Sequence, residues 1–156
     1  MSDGFSHLNA EGSVHMVDVG GKEITQRRAV AEVVVTMDDA VKGRLFAGDI
    51  PKGDALAMVR VAAIMGAKRT PELVPLCHPI SLDAITVDIE PAEAGARIVV
   101  TATVAARTGV EMEAMTGAAV GAVALYDMIK GLDRGAEIGS LRLLSKSGGK
   151  SGEWRR

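Results

Sequence analysis

Arg28 to Met37 (RAVAEVVVTM) is rich in β-branched residues and bounded by Asp38 and Asp39, a pattern that predicts a strand. After the glycine- and proline-containing stretch Gly48 to Gly53, Asp54 to Arg69 has an N-cap residue in Asp54 and good helix formers throughout, which predicts a helix. Its apolar residues Leu56, Met58, Val59, Val61, Ile64 and Met65 nearly encircle the axis. Burial on two sides is therefore expected, by a sheet on one and another subunit on the other. Thr70-Pro71-Glu72 opens a further helical turn, but Pro75 and Pro79 stop it at about one turn and leave Leu76-Cys77-His78-Pro79 as a constrained connector. Ile80 to Glu90 then alternates, with Ile85, Val87 and Ile89 on one face and Thr86, Asp88 and Glu90 on the other. After a turn at Pro91 to Gly95, Ile98, Val100, Ala102 and Val104 repeat that period, so the two runs form a hairpin.

Gly109 to about Lys130 contains no proline and is almost wholly Ala, Val, Met, Leu and Glu with interspersed Gly, which predicts a second long helix. Gly131 and Gly135 stop it, and Glu137 to Ser145 reads as a short last strand. The order β-α-β-β-α-β predicts an α+β, ferredoxin-like fold: an antiparallel four-stranded sheet with two helices packed on one face. Without a long-period repeat or a linker-like boundary, residues 1–156 read as a single domain, flexible over about 1–20 and 146–156.

Composition fits one compact unit, with 156 residues, 47% apolar and 24% charged. Only Phe5, Phe46, Tyr126 and Trp154 are aromatic, so the core is aliphatic. The single cysteine excludes an internal disulfide and a thiolate-rich zinc site within one chain, and favours a reducing, cytoplasmic setting. The longest apolar run, Gly117 to Leu125, is too short to span a membrane, and Met1 to Glu11 lacks the basic-then-apolar order of a signal segment. A net charge of −2 argues against a general nucleic-acid coat. Lys42 to Arg69 nevertheless holds six basic residues against Asp49 and Asp54, and Lys146 to Arg156 holds four against Glu153. Two separated basic segments point to an anionic small ligand.

Glu113 and Asp127 lie fourteen residues apart, close to four helical turns, and so share one helix face with Gly117, Gly121 (or Val120) and Ala124 between them. Those small residues leave room for another backbone, and Lys130 joins Asp127 at i+3. One reading is a solvated charged end on a buried helix. In the other, since the carboxylates stand about 21 Å apart, two copies of the helix pack antiparallel across a dyad, bringing Glu113 of one chain to Asp127 and Lys130 of the other.

Cys77-His78 suggests a nucleophile and base or metal ligands, but adjacent residues bite one ion poorly and no second cysteine completes a soft set, so no metal is expected. His78 reads either as a positioned hydrogen-bonding or acid–base group, or as a connector histidine capping a helix end. Lys146-Ser147-Gly148-Gly149-Lys150-Ser151-Gly152 looks like a phosphate loop, yet Leu144 stands where that motif needs glycine and no helix can follow. A frayed terminus is its default, though its backbone N–H groups and ammonium ions suit phosphate oxygens. Lys52 and Lys68-Arg69 are further cationic candidates.

Taken together, His15-Met16-Val17-Asp18, Lys52-Gly53-Asp54, Ala67-Lys68-Arg69-Thr70, Leu76-Cys77-His78-Pro79, Thr108 to Ala114, Tyr126-Asp127-Met128 with Lys130, and Leu143 to Gly152 resemble the MoaC proteins, the cyclic pyranopterin monophosphate synthase family of molybdenum cofactor biosynthesis. The likeness runs from Ser6-His7-Leu8-Asn9 to Gly152. It implies conversion of 3′,8-cyclo-7,8-dihydroguanosine 5′-triphosphate to cyclic pyranopterin monophosphate and pyrophosphate. No redox cofactor is implied. The implied assembly is a homohexamer, a trimer of dimers with sites at subunit interfaces.

By the same resemblance Asp127 is the catalytic acid–base group, Lys130 shuttles protons beside it, and Lys52 is the other catalytic lysine. Leu76, Cys77, His78, Met112 and Glu113 line the pterin and ribose site, with Glu111 assisting. Lys68, Lys146 and Lys150 bind the triphosphate. Two other classes share this element order. An RNA-recognition domain stacks bases on strand aromatics, and none of the four aromatics falls in a predicted strand. A non-catalytic nucleotide-binding or sensing module would use the same cations without needing Asp127.

Overall fold

The computed structural model describes residues 7–9 and 11–156. Phe5, Ser6 of the first motif, and the remainder of the leading stretch up to residue 6 lie outside the described residues, as does Ala10. In chain order the elements are β1 (Thr25–Thr36), α1 (Asp39–Ala47), α2 (Ala55–Lys68), α3 (Thr70–Leu73), β2 (Ala84–Ala92), β3 (Gly95–Ala106), α4 (Glu111–Ile129), β4 (Glu137–Ser147) and β5 (Trp154–Arg155). The strands form one antiparallel sheet in the order β2-β3-β1-β4-β5. Its first four members have the expected ferredoxin-like order. Among the described residues two elements are added to those expected, the edge strand β5 and the helix α1, while α3 is the single turn expected at Thr70.

Helix α1 was not anticipated. Its only fully inward residues are Val41 and Leu45, one turn apart, and Gly48 closes it in the left-handed conformation at φ 76°. Helix α2 starts as expected, with the Asp54 carboxylate accepting from the Ala57 N–H at 2.9 Å. Strand β2 begins at Ala84, later than the alternation suggested; just before it Asp83 still donates its N–H to the Thr103 carbonyl at 3.0 Å while its carboxylate accepts from the Ala105 N–H at 2.8 Å.

On β1 every second residue, Ala29, Ala31, Val33 and Val35, is wholly buried under the helices. Ile98, Val100, Ala102 and Val104 of β3 meet them from the next strand, and Val59 and Ala63 of α2 with Ala118, Ala122 and Leu125 of α4 close the core. Small residues let the two long helices cross closely. A β-carbon added at Gly66 would stand 2.6 Å from Val120 Cβ, and one at Gly117 would stand 3.0 Å from the Ala63 carbonyl oxygen. The small-residue stripe of α4 is therefore filled by α2 of the same chain, which corrects the reading that it receives a second copy's helix. The other side of α2 stays bare: Met58, Val61 and Met65 are 54%, 53% and 47% exposed.

By length and composition alone α4 could cross a membrane, but half of it is buried against this core. On the sheet face away from the helices, charges run across four strands: Glu90, Arg97, Glu32 and Arg142. Burial alone would raise the Glu32 carboxyl, but hydrogen bonds from Arg97 and Arg142 outweigh it and hold the group below its usual range. The carboxy-terminal segment also departs from expectation. Strand β4 runs on to Ser147, and the chain returns as β5, pairing Ser145 with Arg155 and Lys146 with Trp154. One aromatic thus does lie in a strand, but in an edge strand. The central strands β1 and β3 carry none, so no base-stacking platform exists there.

Candidate active site

Helix α4 carries chemistry at both ends. At its carboxy-terminal end Asp127 is gripped by two lysines: Lys130 Nζ lies 2.8 Å from Oδ1 and Lys52 Nζ lies 3.0 Å from Oδ2. Lys52 also donates to the Asp127 backbone carbonyl at 2.6 Å, which fixes it against the helix end. Local sequence explains the placement, since Lys52 sits in the Pro51-Lys52-Gly53 turn just before α2 and Gly53 takes φ 105°. The three residues expected to be catalytic are thus together within one chain.

Hydrogen bonds from Lys130 and then Lys52 lower the Asp127 pKa, and Asp127 in turn raises that of Lys130. At neutral pH the Asp127 side chain is a carboxylate held between the two lysine side chains. The carboxylate orients both lysine side chains.

At the amino-terminal end lie Glu111, Glu113, Cys77 and Lys146. Glu113 is 3% exposed, and burial pushes its carboxyl up to about 7; its own backbone N–H opposes the rise and the nearby Glu111 charge adds to it. Burial first, and then the Glu113 charge, raises the Cys77 thiol, so it is a neutral thiol and not an activated nucleophile. Lys146 stands 3.7 Å from Glu111 and is bonded to the Ser151 hydroxyl. His78 does not cap a helix. Its Nε2 lies 2.7 Å from the Val17 carbonyl oxygen, which can only accept, so Nε2 carries the proton and the ring ties down the segment before β1. Leu76 is half-buried in the same connector, and Met112 is 41% exposed on the first turn of α4.

Lys150 lines a cavity of about 840 Å³ together with Lys22, Arg27, Arg107 and Thr108. Arg27 went unrecognised in the sequence. Its Nε is buried without a hydrogen-bond partner, and the backbone of Gly149, at φ 72°, lies directly on its guanidinium group. The pattern offered one signal, a Gly-Gly pair downstream of a basic strand start, but their meeting depends on the sheet. Lys68 is not brought to this cavity. It lines a separate groove of about 420 Å³ with Ile64, Ile80, Leu82 and Asp83. Within one chain, then, the structure gathers Lys52, Asp127 and Lys130 at one end of α4, gathers Cys77, Glu111, Glu113 and Lys146 at the other, and leaves Lys68 apart. The ends are separated by about 21 Å of helix.

The MoaC family model matches residues 16–149. Cyclic pyranopterin monophosphate synthase of Corynebacterium efficiens is 52% identical over 149 residues, covering 96% of each chain. The protein of that name from Brucella ovis is 48% identical over 156 residues, covering 99% of this chain and 94% of its own. With a relationship this strong over nearly the whole length, the chain belongs to the MoaC family.

Proposed function

We propose that this protein is a cyclic pyranopterin monophosphate synthase of molybdenum cofactor biosynthesis, a lyase that converts 3′,8-cyclo-7,8-dihydroguanosine 5′-triphosphate to cyclic pyranopterin monophosphate with release of pyrophosphate. The observation that carries the reading is the Lys52–Asp127–Lys130 cluster, a ready proton relay in a chain whose relatives bear that name. Opening and reclosing the purine-derived ring requires protons to be given and taken at nitrogen and carbon. Asp127, kept ionised, holds Lys52 and Lys130 in place, and the ammonium groups deliver the proton.

At the other end of α4, Glu113 is buried enough to keep a proton near neutrality and hydrogen-bonds the ring system as a donor, beside Cys77, His78, Met112 and Glu111. Lys146 and Lys150, joined by Arg27, take the triphosphate. Their charge stabilises the pyrophosphate as the α-phosphate cyclises, a step that otherwise needs positioning alone. Lys68 approaches this pocket only from a neighbouring chain.

One chain cannot close such a site, because its two halves stand at opposite ends of α4. The assembly proposed is a homohexamer, a trimer of dimers, in which the amino-terminal cluster of one protomer meets the carboxy-terminal cluster of its partner. The bare Met58, Val61 and Met65 side of α2 supports that arrangement. The setting proposed is the cytoplasm. The test is pyrophosphate release and pterin formation from the cyclic dihydro-GTP substrate, with plain GTP as control, and light scattering for a sixfold multiple of the 16.2 kDa chain. Activity on plain GTP alone would overturn the assignment. Loss of affinity without loss of turnover in Asp127→Asn would instead mark a nucleotide-sensing module.

A further inference from the structure

Arginines converge on the sheet face that carries no helices. Arg28, Arg142, Arg155 and Arg156 line a cavity of about 580 Å³, completed by Ser145 and Leu144. Strand pairing puts them there. Arg28 is opposite Ser147, Val30 opposite Ser145, Glu32 opposite Arg142, and Ser145 opposite Arg155. Ser145 thus lies among residues contributed by three adjacent strands, β1, β4 and β5.

The charge balance there is lopsided. Arg142 is 2.6 Å from Glu32, but Glu32 is already shared with Arg97. Arg156 spends its Nε on the Leu143 carbonyl at 3.0 Å and lies over the Trp154 ring. Arg28 and Arg155 have no side-chain hydrogen bond or ion pair among the described residues. A protein of net charge −2 has no general basic surplus to account for such a gathering, and guanidinium groups held together repel one another unless an anion joins them.

This cavity is distinct from the one holding Arg27 and Lys150. Arg27 and Arg28 are consecutive on β1, so their side chains leave opposite faces of the sheet, and the two cationic cavities stand back to back with the strand between them.

We propose that the open sheet face holds a second anion site, specific for a condensed phosphate of pyrophosphate size. Guanidinium forks match phosphate oxygens in pairs, and several of them can grip more than one phosphoryl group. The lining offers no aromatic ring to a nucleobase and one apolar side chain, so recognition is of the phosphates themselves. The site stands whether or not the chain has the activity proposed above.

The experiment is isothermal titration of the assembled protein with inorganic pyrophosphate, comparing wild type, Lys150→Ala, and Lys150→Ala carrying Arg28→Gln/Arg155→Gln. The expected result is binding that survives in Lys150→Ala and weakens at least about tenfold when the two unpaired arginines are neutralised in that background. Both side chains are exposed, so adding the two substitutions to Lys150→Ala leaves its melting temperature unchanged without anion and removes its pyrophosphate-dependent rise. Pyrophosphate binding that vanishes in Lys150→Ala, or that survives there and is indifferent to adding Arg28→Gln/Arg155→Gln, overturns the proposal. So does equal displacement by chloride of the same ionic strength, which would mean charge screening without a site.

Discussion

Replacing Glu113 by Gln tests whether burial, and not charge pairing, governs the amino-terminal half of the site. Glu113 is 3% exposed and its carboxyl is pushed from 4.5 up to about 7, chiefly by desolvation. A displacement of that size makes the ionised form cost about 3 kcal/mol in the folded chain. The sign follows from the raised value. Below pH 4.5 the group is protonated in both states and costs nothing. Between 4.5 and about 7 the unfolded chain ionises while the folded chain keeps its proton, so stability falls as pH rises, and above about 7 the penalty is constant.

Gln has nearly the same shape and cannot ionise. The stability of Glu113→Gln relative to wild type should therefore climb from near zero at pH 4 to about 3 kcal/mol at pH 8.5. Urea unfolding at one protein concentration, repeated across that range, measures it. A difference that stays flat, or that falls with pH, would mean Glu113 is charged in the folded protein and would refute the burial argument. Turnover adds a second reading: if the protonated carboxyl donates to the substrate, activity declines above pH 7 in wild type and loses that limb in the variant.

Asp127→Asn should leave folding intact, since the side chain is more than half exposed, and lower kcat by about 10²–10⁴-fold in steady-state assays. Lys130→Gln removes the largest influence on Asp127, so the carboxyl should titrate at a higher pH than in wild type, observable by carbon NMR of the labelled aspartates. Gly149→Ala places a methyl group on the Arg27 guanidinium and strains a backbone at φ 72°; it should raise KM for the triphosphate substrate far more than it lowers kcat. Glu32→Gln removes the carboxylate shared by Arg97 and Arg142, leaving Arg97 only Glu90, and should cost about 1–3 kcal/mol at pH 7 in chemical denaturation. Because Glu32 titrates below its usual range, that cost should disappear as pH falls through its folded pKa.

The main elements were legible because their signals are local. Alternation at Ile85, Val87 and Ile89 marks a strand whatever surrounds it, and Asp54 caps α2 by accepting from the N–H of Ala57, three residues on. Helix α1 escaped because only Val41 and Leu45 face inward, too few to make a periodic stripe. Strand β5 escaped because two residues have no period at all and exist as a strand only by pairing with Ser145 and Lys146.

The chemistry divides along the same line. The residue types, the acid–lysine pairing one turn apart at Asp127 and Lys130, and the span of α4 that no small molecule can bridge are set by the order of amino acids, because helical geometry converts spacing into distance. Lys52 reaching Asp127 from seventy-five positions away, Arg27 lying beneath Gly149, and α2 filling the glycine stripe were decided by the fold, since each joins strands or helices remote in the chain. The sign of the Glu113 shift belongs there too: a sequence names a carboxyl, but only packing removes the water that would have kept it ionised.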